Sequence, residues 1–352
     1  MAIIHCLGVG LVGSYVAKKL SANGHQVHAH DLNPDNVFSE YPRIIIHKGD
    51  VLESSKDKNN FGEVDIIVNM LPGEIGHTVM KNICKYGFRI VDLSFSEISP
   101  DVLKEETIEN KSTILWDVGI APGLSNMFLS LAVEDMGHLE KGEIRVGGNP
   151  VEKKGGWNYF APFSPKDVIA EYTRPARVVR DKKIITLDAL SERHIINVHG
   201  IGEMEAFLTD GLRSVLYTIP STNLSEYTVR WPGHIQKFID ERDKNNLNYK
   251  QLLKEWEYSP EISEFTWLEV VAYGCEGKKI RWIVSDEGGS DGHSMARCTG
   301  LVTVFCIEEW ISNPKMLKIG IHPPENLDAN VINTIVSKMK DQNISIFKEI
   351  IN

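Results

Sequence analysis

Through the first third of the chain, apolar runs of strand length alternate with stripes of helical spacing. Residues 2–7 are a short apolar run. Val12, Val16 and Leu20 then recur at four-residue steps, the buried stripe of a helix that Asn23-Gly24 ends. Residues 26–30 read as a second strand reaching Asp31, and Ile44-Ile45-Ile46 as a third. A polar loop over 54–60 leads to a buried strand at 64–69, which turns out through Met70-Leu71-Pro72-Gly73. A helix over 77–86 stops at Gly87; a strand at 89–93, a helix at 101–110 and a sixth strand at 113–117 follow. Six strands separated by helices predict an α/β fold with a Rossmann-type doubly wound parallel sheet.

Beyond Gly119 the spacing changes. A loop over 119–126 enters a helix running to about Met136. Strands are predicted at 142–147, 183–187, 195–199, 227–231, 265–273 and 279–285, and helices at 202–217, 234–242 and 248–256. The strands at 265–273 and 279–285 read as an antiparallel hairpin. This is a second, α+β domain with a mixed sheet. The apolar stripe over 295–312 is expected to return to the first domain, giving divisions of 1–121, 122–294 and 295–352. Trp267, Val270, Val271, Tyr273, Trp282 and Ile283 put apolar groups on both faces of the hairpin. One face would meet the domain core and the other a second subunit, so a homodimer is expected.

Between the first strand and the first helix lies Gly8-Val9-Gly10-Leu11-Val12-Gly13, with G-x-G-x-x-G spacing. Strand, glycines, helix, second strand and terminal Asp31 occur in the order that a dinucleotide site requires. Gly8 serves the tight turn, Gly10 lets backbone approach a pyrophosphate, and Gly13 lets the helix pack on the strand. The helix N-terminus, at Leu11 and Val12, offers free N–H groups to the phosphates. Asp31 would accept hydrogen bonds from the ribose and repel a 2′-phosphate. Leu32-Asn33-Pro34 supplies no cation to hold such a phosphate, so NAD is favoured over NADP. Asp50 and Val51, just past the third strand, would flank the adenine; Asp50 equally suits a helix cap. Asn69, Met70, Leu71, Leu93 and Gly119 follow strand ends on the edge where open α/β sheets bind ligands, and are expected beside the nicotinamide half.

With 352 residues, 42% of them hydrophobic, the chain is long enough for a sizeable core in each domain. The net charge of −10 argues against general affinity for nucleic acid or an anionic membrane surface. No apolar run is long enough to span a bilayer, and no basic leader precedes the first strand. Cys6, Cys84, Cys275, Cys298 and Cys306 are odd in number and scattered, which fits reduced thiols in a cytoplasmic protein. His25, His28 and His30 superficially look like metal ligands, but no cysteine or acid cluster completes a set, and no metal is expected.

Several segments together resemble the saccharopine dehydrogenase-like family. They are the glycine fingerprint, Val91-Asp92-Leu93-Ser94-Phe95, the run from Asp117 to Asn126 with Ala121-Pro122-Gly123-Leu124-Ser125-Asn126, and Gly147-Gly148-Asn149-Pro150. Phe163-Ser164-Pro165, the run from Glu205 to Arg213, the run from Tyr227 to His234, Met295-Ala296-Arg297-Cys298-Thr299-Gly300 and Pro323-Pro324-Glu325 continue it, so it spans almost the whole chain. The lysine 6-dehydrogenase branch looks closest. Saccharopine reductases usually carry an acid where this chain has Ala121.

The resemblance implies hydride transfer between NAD(P) and the carbon bearing an amino-acid amine, for lysine the ε-carbon, with hydrolysis of the iminium that results. Such chemistry needs a base for the ammonium proton, a cation for the α-carboxylate and a water-poor site. Asp92 and Asp117 end parallel strands at the binding edge and are candidate catalytic groups. His199, ending a short apolar strand, is either a proton acceptor or structural. Ser94, Thr209, Asp210, Thr228 and Arg230 are candidate substrate contacts. Arg230 would hold the carboxylate or else form a surface ion pair, and Thr209 and Asp210 equally suit a cap. Arg174, Arg177, Arg193 and Arg213 are further cations for a larger substrate. The rival enzymatic readings are a saccharopine dehydrogenase or a carboxynorspermidine-type dehydrogenase. The rival of another class is a non-catalytic sensor that binds NAD and reports it to a partner.

Overall fold

Strands β1 (Ile3–Leu7), β2 (Gln26–Asp31), β3 (Ile44–Lys48), β4 (Ile66–Asn69), β5 (Arg89–Asp92) and β6 (Thr113–Leu115) are all parallel, in the spatial order β6-β5-β4-β1-β2-β3. They belong to a computed structural model that describes residues 1–34, 38–153 and 155–351. β4 is buried along its whole length, as a central parallel strand covered on both faces must be. Helix α1 (Leu11–Ala22) links β1 to β2. A short helix, α2 (Val51–Ser54), ends where the expected loop begins, and that loop contains a 3₁₀ turn at Lys58–Asn60. Helix α3 (Gly73–Ile83) starts directly after Pro72, earlier than expected, and a 3₁₀ turn carries it to Gly87 at φ +75°. Helix α4 (Lys104–Glu109) follows a 3₁₀ turn at Pro100–Leu103.

Helix α5 (Leu124–Met136) leads to the mixed sheet. Its members are β7 (Leu139–Pro150), β8 (Ala176–Arg180), β9 (Lys183–Leu187), β10 (His194–Val198), β11 (Gly202–Leu208), β12 (Ser221–Arg230), β13 (Glu264–Tyr273) and β14 (Lys279–Asp286). Helices α6 (Pro165–Thr173), α7 (Val215–Thr218), α8 (His234–Asp243) and α9 (Tyr249–Glu255) lie between them in sequence. β7 and β12 pair parallel and the other pairings are antiparallel.

The helix expected over 202–217 is a misreading. Residues 202–208 are β11, paired on both sides, with Met204, Ala206 and Leu208 in one core cluster and Glu203 and Glu205 at the alternate positions. Two ladders, and burial on both faces from Met204 to Leu208, override the helix preference of Glu-Met-Glu-Ala-Phe-Leu.

The chain ends with α10 (Ser294–Ser312), β15 (Gly320–His322), α11 (Ala329–Asp341) and β16 (Ser345–Ile351). Two compact units result: Met1–Met127 with Ala296–Met339, and Phe128–Met295 with the chain from Lys340. Most of α10 belongs to the first unit: Thr303 Oγ1 donates to Val118 O at 2.7 Å, and a Cβ on Gly300 would strike Tyr15. β15 extends the parallel sheet beside β6. The final segment divides, because β16 pairs with β14 in the mixed sheet.

The β13–β14 hairpin has the expected partners, Val270 opposite Trp282. Trp267, Val270, Val271 and Trp282 are nevertheless buried within the chain, and β16 occupies the free edge of β14. Those four side chains are therefore not available to a second subunit. Among the described residues no helix is long and apolar enough to cross a membrane.

Candidate active site

The turn from β1 into α1 depends on what its glycines lack. Gly8 holds φ +84°, and its N–H donates to His30 O at 2.9 Å. A Cβ on Gly13 would run into the Gly8 carbonyl oxygen, so glycine is required for α1 to close on the strand. A Cβ on Gly10 would meet nothing within 4 Å, and Gly10 gives α1 no side-chain cap. That leaves an open helix N-terminus of the kind that receives a pyrophosphate, with Leu11 exposed and Val12 half-buried behind it.

Asp31 clasps this turn to the end of β2. Its Oδ2 accepts from Val9 N at 2.8 Å and its Oδ1 from Asn33 N at 3.0 Å. Met70 and Leu71 border the turn on the β4 side, where the Met70 carbonyl oxygen would lie 3.0 Å from a Cβ on Gly8. Asp50 is the N-cap of α2, accepting from Leu52 N at 2.8 Å, and remains exposed. Val51 is buried in the core cluster, which removes its side chain from ligand contact. These residues fit a dinucleotide.

The edge formed by β4, β5 and β6 holds the polar groups. Asp92 is fully buried at the end of β5. Asn69 Nδ2 donates to its Oδ1 at 2.6 Å and Ser94 Oγ at 2.8 Å. Asn69, expected to face the coenzyme, thus spends its amide on Asp92 and on Gly76 O, at 3.0 Å. Gly76 makes room for this: a Cβ there would strike Ser94. Burial pushes the Asp92 carboxyl up to about 7; the nearby Asp117 pushes the same way, and the Ser94 and Asn69 hydrogen bonds hold it down. Asp92 Oδ2 and Asn69 Oδ1 are buried without a hydrogen-bond partner among the described residues. Half-buried Leu93 lies between Asp92 and Ser94 and donates its N–H to Asn69 O.

Asp117, buried at φ +55°, opens the loop after β6. Gly119 N donates to Pro122 O at 3.0 Å, and Leu124 N to Gly119 O at 2.9 Å. Asn126 secures the loop by accepting from Gly123 N and donating to Glu325 at 3.2 Å.

The candidates in the second unit form an internal polar network. Arg230 is buried: its Nη2 meets Glu171 at 2.8 Å and Tyr159 at 3.1 Å, its Nε meets Tyr172 at 3.0 Å, and its Nη1 meets Val229 O at 3.0 Å. The guanidinium is engaged within the chain, so neither the substrate-carboxylate role nor the surface ion pair describes it. Asp210 is held by a two-point bond from Arg177, with both contacts at 2.9 Å, and is likewise committed. Thr209 and Thr228 share a hydrogen bond of 2.9 Å, and Thr209 also donates to Glu226. Arg193 pairs with Glu205. His199 is exposed beyond the end of β10, away from any burial that would suit a proton acceptor in a water-poor site.

The sequence reading missed Glu226. It lies on β12 beside Thr228, and burial raises its carboxyl to about 8. The available signal was an acid in a strand that is buried over most of its length.

The family model described as the saccharopine dehydrogenase NADP binding domain matches residues 4–114, and that described as the saccharopine dehydrogenase C-terminal domain matches residues 119–344. The chain belongs to the saccharopine dehydrogenase family. Its fold is similar to apo saccharopine dehydrogenase (L-Glu forming) from Saccharomyces cerevisiae, with TM-score 0.78, 15% identity and complete coverage of both chains. It is also similar to the homospermidine synthase of Legionella pneumophila solved in complex with NAD, with TM-score 0.70, 14% identity and coverage of 99% of this chain and 91% of that one. In sequence, 152 residues are 25% identical to an alpha-aminoadipic semialdehyde synthase of Arabidopsis thaliana, a span of 40% of this chain but 14% of that longer protein. For a saccharopine dehydrogenase family member, the glycine turn and the polar strand ends are the candidate coenzyme and reaction edges.

Proposed function

We propose that the protein is an NAD(P)-dependent dehydrogenase acting on the CH–NH group of an amino acid, with oxidative deamination of L-lysine at the ε-carbon as its reaction. Asp92 carries the reading: a buried carboxyl raised to about 7, with one unpartnered oxygen, at the edge of a dinucleotide-type sheet. A bound nicotinamide would accept the hydride. The chain has to deprotonate the amine first, since an ammonium group has no lone pair to support an iminium. Ser94 Oγ, already donating to Asp92, would take the substrate proton as its own passes to the carboxylate. A group titrating near neutrality can accept that proton and release it again in each turnover. Water would then convert the iminium to a semialdehyde and ammonia.

Asp31 supports NAD, through ribose hydrogen bonds and repulsion of a 2′-phosphate. One observation favours a second reading for the coenzyme. Exposed Lys48 lies in register with Asp31 on β3 and is a cation for that phosphate. The test is a panel of amino acids and polyamines, including lysine and saccharopine, assayed with NAD and NADP by absorbance of the reduced nicotinamide. Turnover of a primary amine is expected. Coenzyme binding with no substrate oxidised would instead favour the sensor.

A further inference from the structure

Four histidines share one face of the outer half of the parallel sheet. Strand register sets His5 of β1 opposite His28 of β2, and His30 of β2 opposite His47 of β3. They form two hydrogen-bonded pairs, His5 Nδ1 with His30 Nε2 at 2.9 Å and His28 Nδ1 with His47 Nε2 at 2.8 Å. The pairs stack on each other. His5 lies over His28 with ring centroids 4.4 Å apart and planes 11° from parallel, and His30 lies over His47 at 4.4 Å and 9°. Phe61 packs against His5 and His30 at 5.7 and 5.8 Å. Glu63 contributes its carbonyl oxygen, 3.2 Å from His5 Nε2, and Gln26 its amide, 3.1 Å from His28 Nε2.

This arrangement suits neutral rings. Each N···N hydrogen bond needs one protonated nitrogen and one lone pair, which two neutral imidazoles supply. An added proton puts a cation in one pair, and a second puts another about one ring-stacking distance away. Burial lowers His5 to about 4 and His30 to about 3, and it lowers His28 and His47 as well. Among the described residues, the charges acting on His5, His28 and His30 are those of the other rings, and the Glu63 carbonyl on His5 favours the charged form. The nitrogens pair with each other rather than converge on one point, and among the described residues no group of three or more ligand-type side chains is arranged for a metal.

The stack adjoins the coenzyme turn through two covalent neighbours. His30 O accepts from Gly8 N, and Asp31, the next residue, accepts from Val9 N. We propose that the histidine stack is an acid-operated latch: protons entering it loosen β2 and β3 from β1 and draw Asp31 away from the glycine turn, releasing coenzyme. The release part rests on the coenzyme reading above; the latch itself does not. For a histidine with a lowered folded-state pKa, the stability is complete above the unfolded value of about 6.5 and is lost as pH falls toward the folded value. Proton uptake and coenzyme affinity must then oppose each other reciprocally.

The test compares the full chain with its His28→Gln/His47→Gln variant at about pH 7.5 and about pH 5.5, reading thermal unfolding without coenzyme and NADH binding by fluorescence. The unmodified protein is expected to lose melting temperature on acidification, and to lose affinity as His28 and His47 take up protons. The variant should lose clearly less of each. If neither protein binds NADH but the melting difference persists, the latch stands and the coenzyme reading fails. Equal losses of melting temperature in both overturn the latch. Should the variant not fold, imidazole NMR titration of the unmodified protein decides. All four rings should titrate below about 6.5, and any one titrating at or above that value contradicts the proposal.

Discussion

The Asn69 side-chain amide donates to Asp92 Oδ1 at 2.6 Å across the ends of two neighbouring parallel strands. Its orientation is fixed by the second donation, to Gly76 O, because only the nitrogen end of the amide can serve a carbonyl. Asn69 therefore stabilises the charged form of Asp92. Its replacement by alanine should raise the Asp92 carboxyl above about 7 and move the acid limb of the pH–kcat profile to higher pH. Asp92→Asn should lower kcat by about 10²–10⁴ with coenzyme affinity little changed. Steady-state kinetics across pH, with coenzyme binding measured separately, checks both.

Asp31 and Lys48 should set coenzyme choice in opposite directions. Asp31→Ala should weaken NAD and improve NADP relative to it, whereas Lys48→Ala should weaken NADP alone. The ratio of kcat/KM for the two coenzymes is the readout. A strong NADP preference that survives Lys48→Ala would contradict the assignment of Lys48.

Arg230 should matter for stability. Removing it leaves Glu171 partly buried beside two tyrosines without its cation, a loss of about 3–5 kcal/mol. A paired Arg230→Met/Glu171→Leu replacement should recover much of this, because no charge is then left unmatched. Urea unfolding of the single and double variants decides it.

The parallel sheet was legible because each buried strand is an apolar run closed by turn residues, and because the glycine fingerprint depends on local backbone geometry. The mixed sheet was less so. β11 consists of good helix formers, and only its pairing with β10 and β12 makes it a strand. Asp92 was recognisable as a polar residue ending an apolar strand. The partners of Arg230 were not, since Glu171 and Tyr172 come from α6, far away in sequence, and an arginine shows its intended carboxylate only after folding. The histidine stack was hidden for the same reason: His5, His28, His30 and His47 come together through strand register, which the sequence does not print.

Glu226 should reduce stability as pH rises. Its folded value of about 8 lies above the ordinary glutamate value, so its contribution is complete below about 4.5 and is lost as pH climbs toward 8. Glu226→Gln keeps an acceptor for Thr209 and Gly211 with nothing to ionise. The variant should melt above the unmodified protein at about pH 8 and near it at about pH 5, as scanning calorimetry would show.

The most direct test of the central claim is the initial rate of nicotinamide reduction with L-lysine over neutral to alkaline pH, for the unmodified protein and for Asp92→Asn. The account predicts turnover that rises through a group titrating near 7 in the unmodified protein, and a rate at least about a hundredfold lower in the variant. Equal rates in the two proteins, or no reduction of NAD or NADP by lysine or any other amine of the panel, would contradict it.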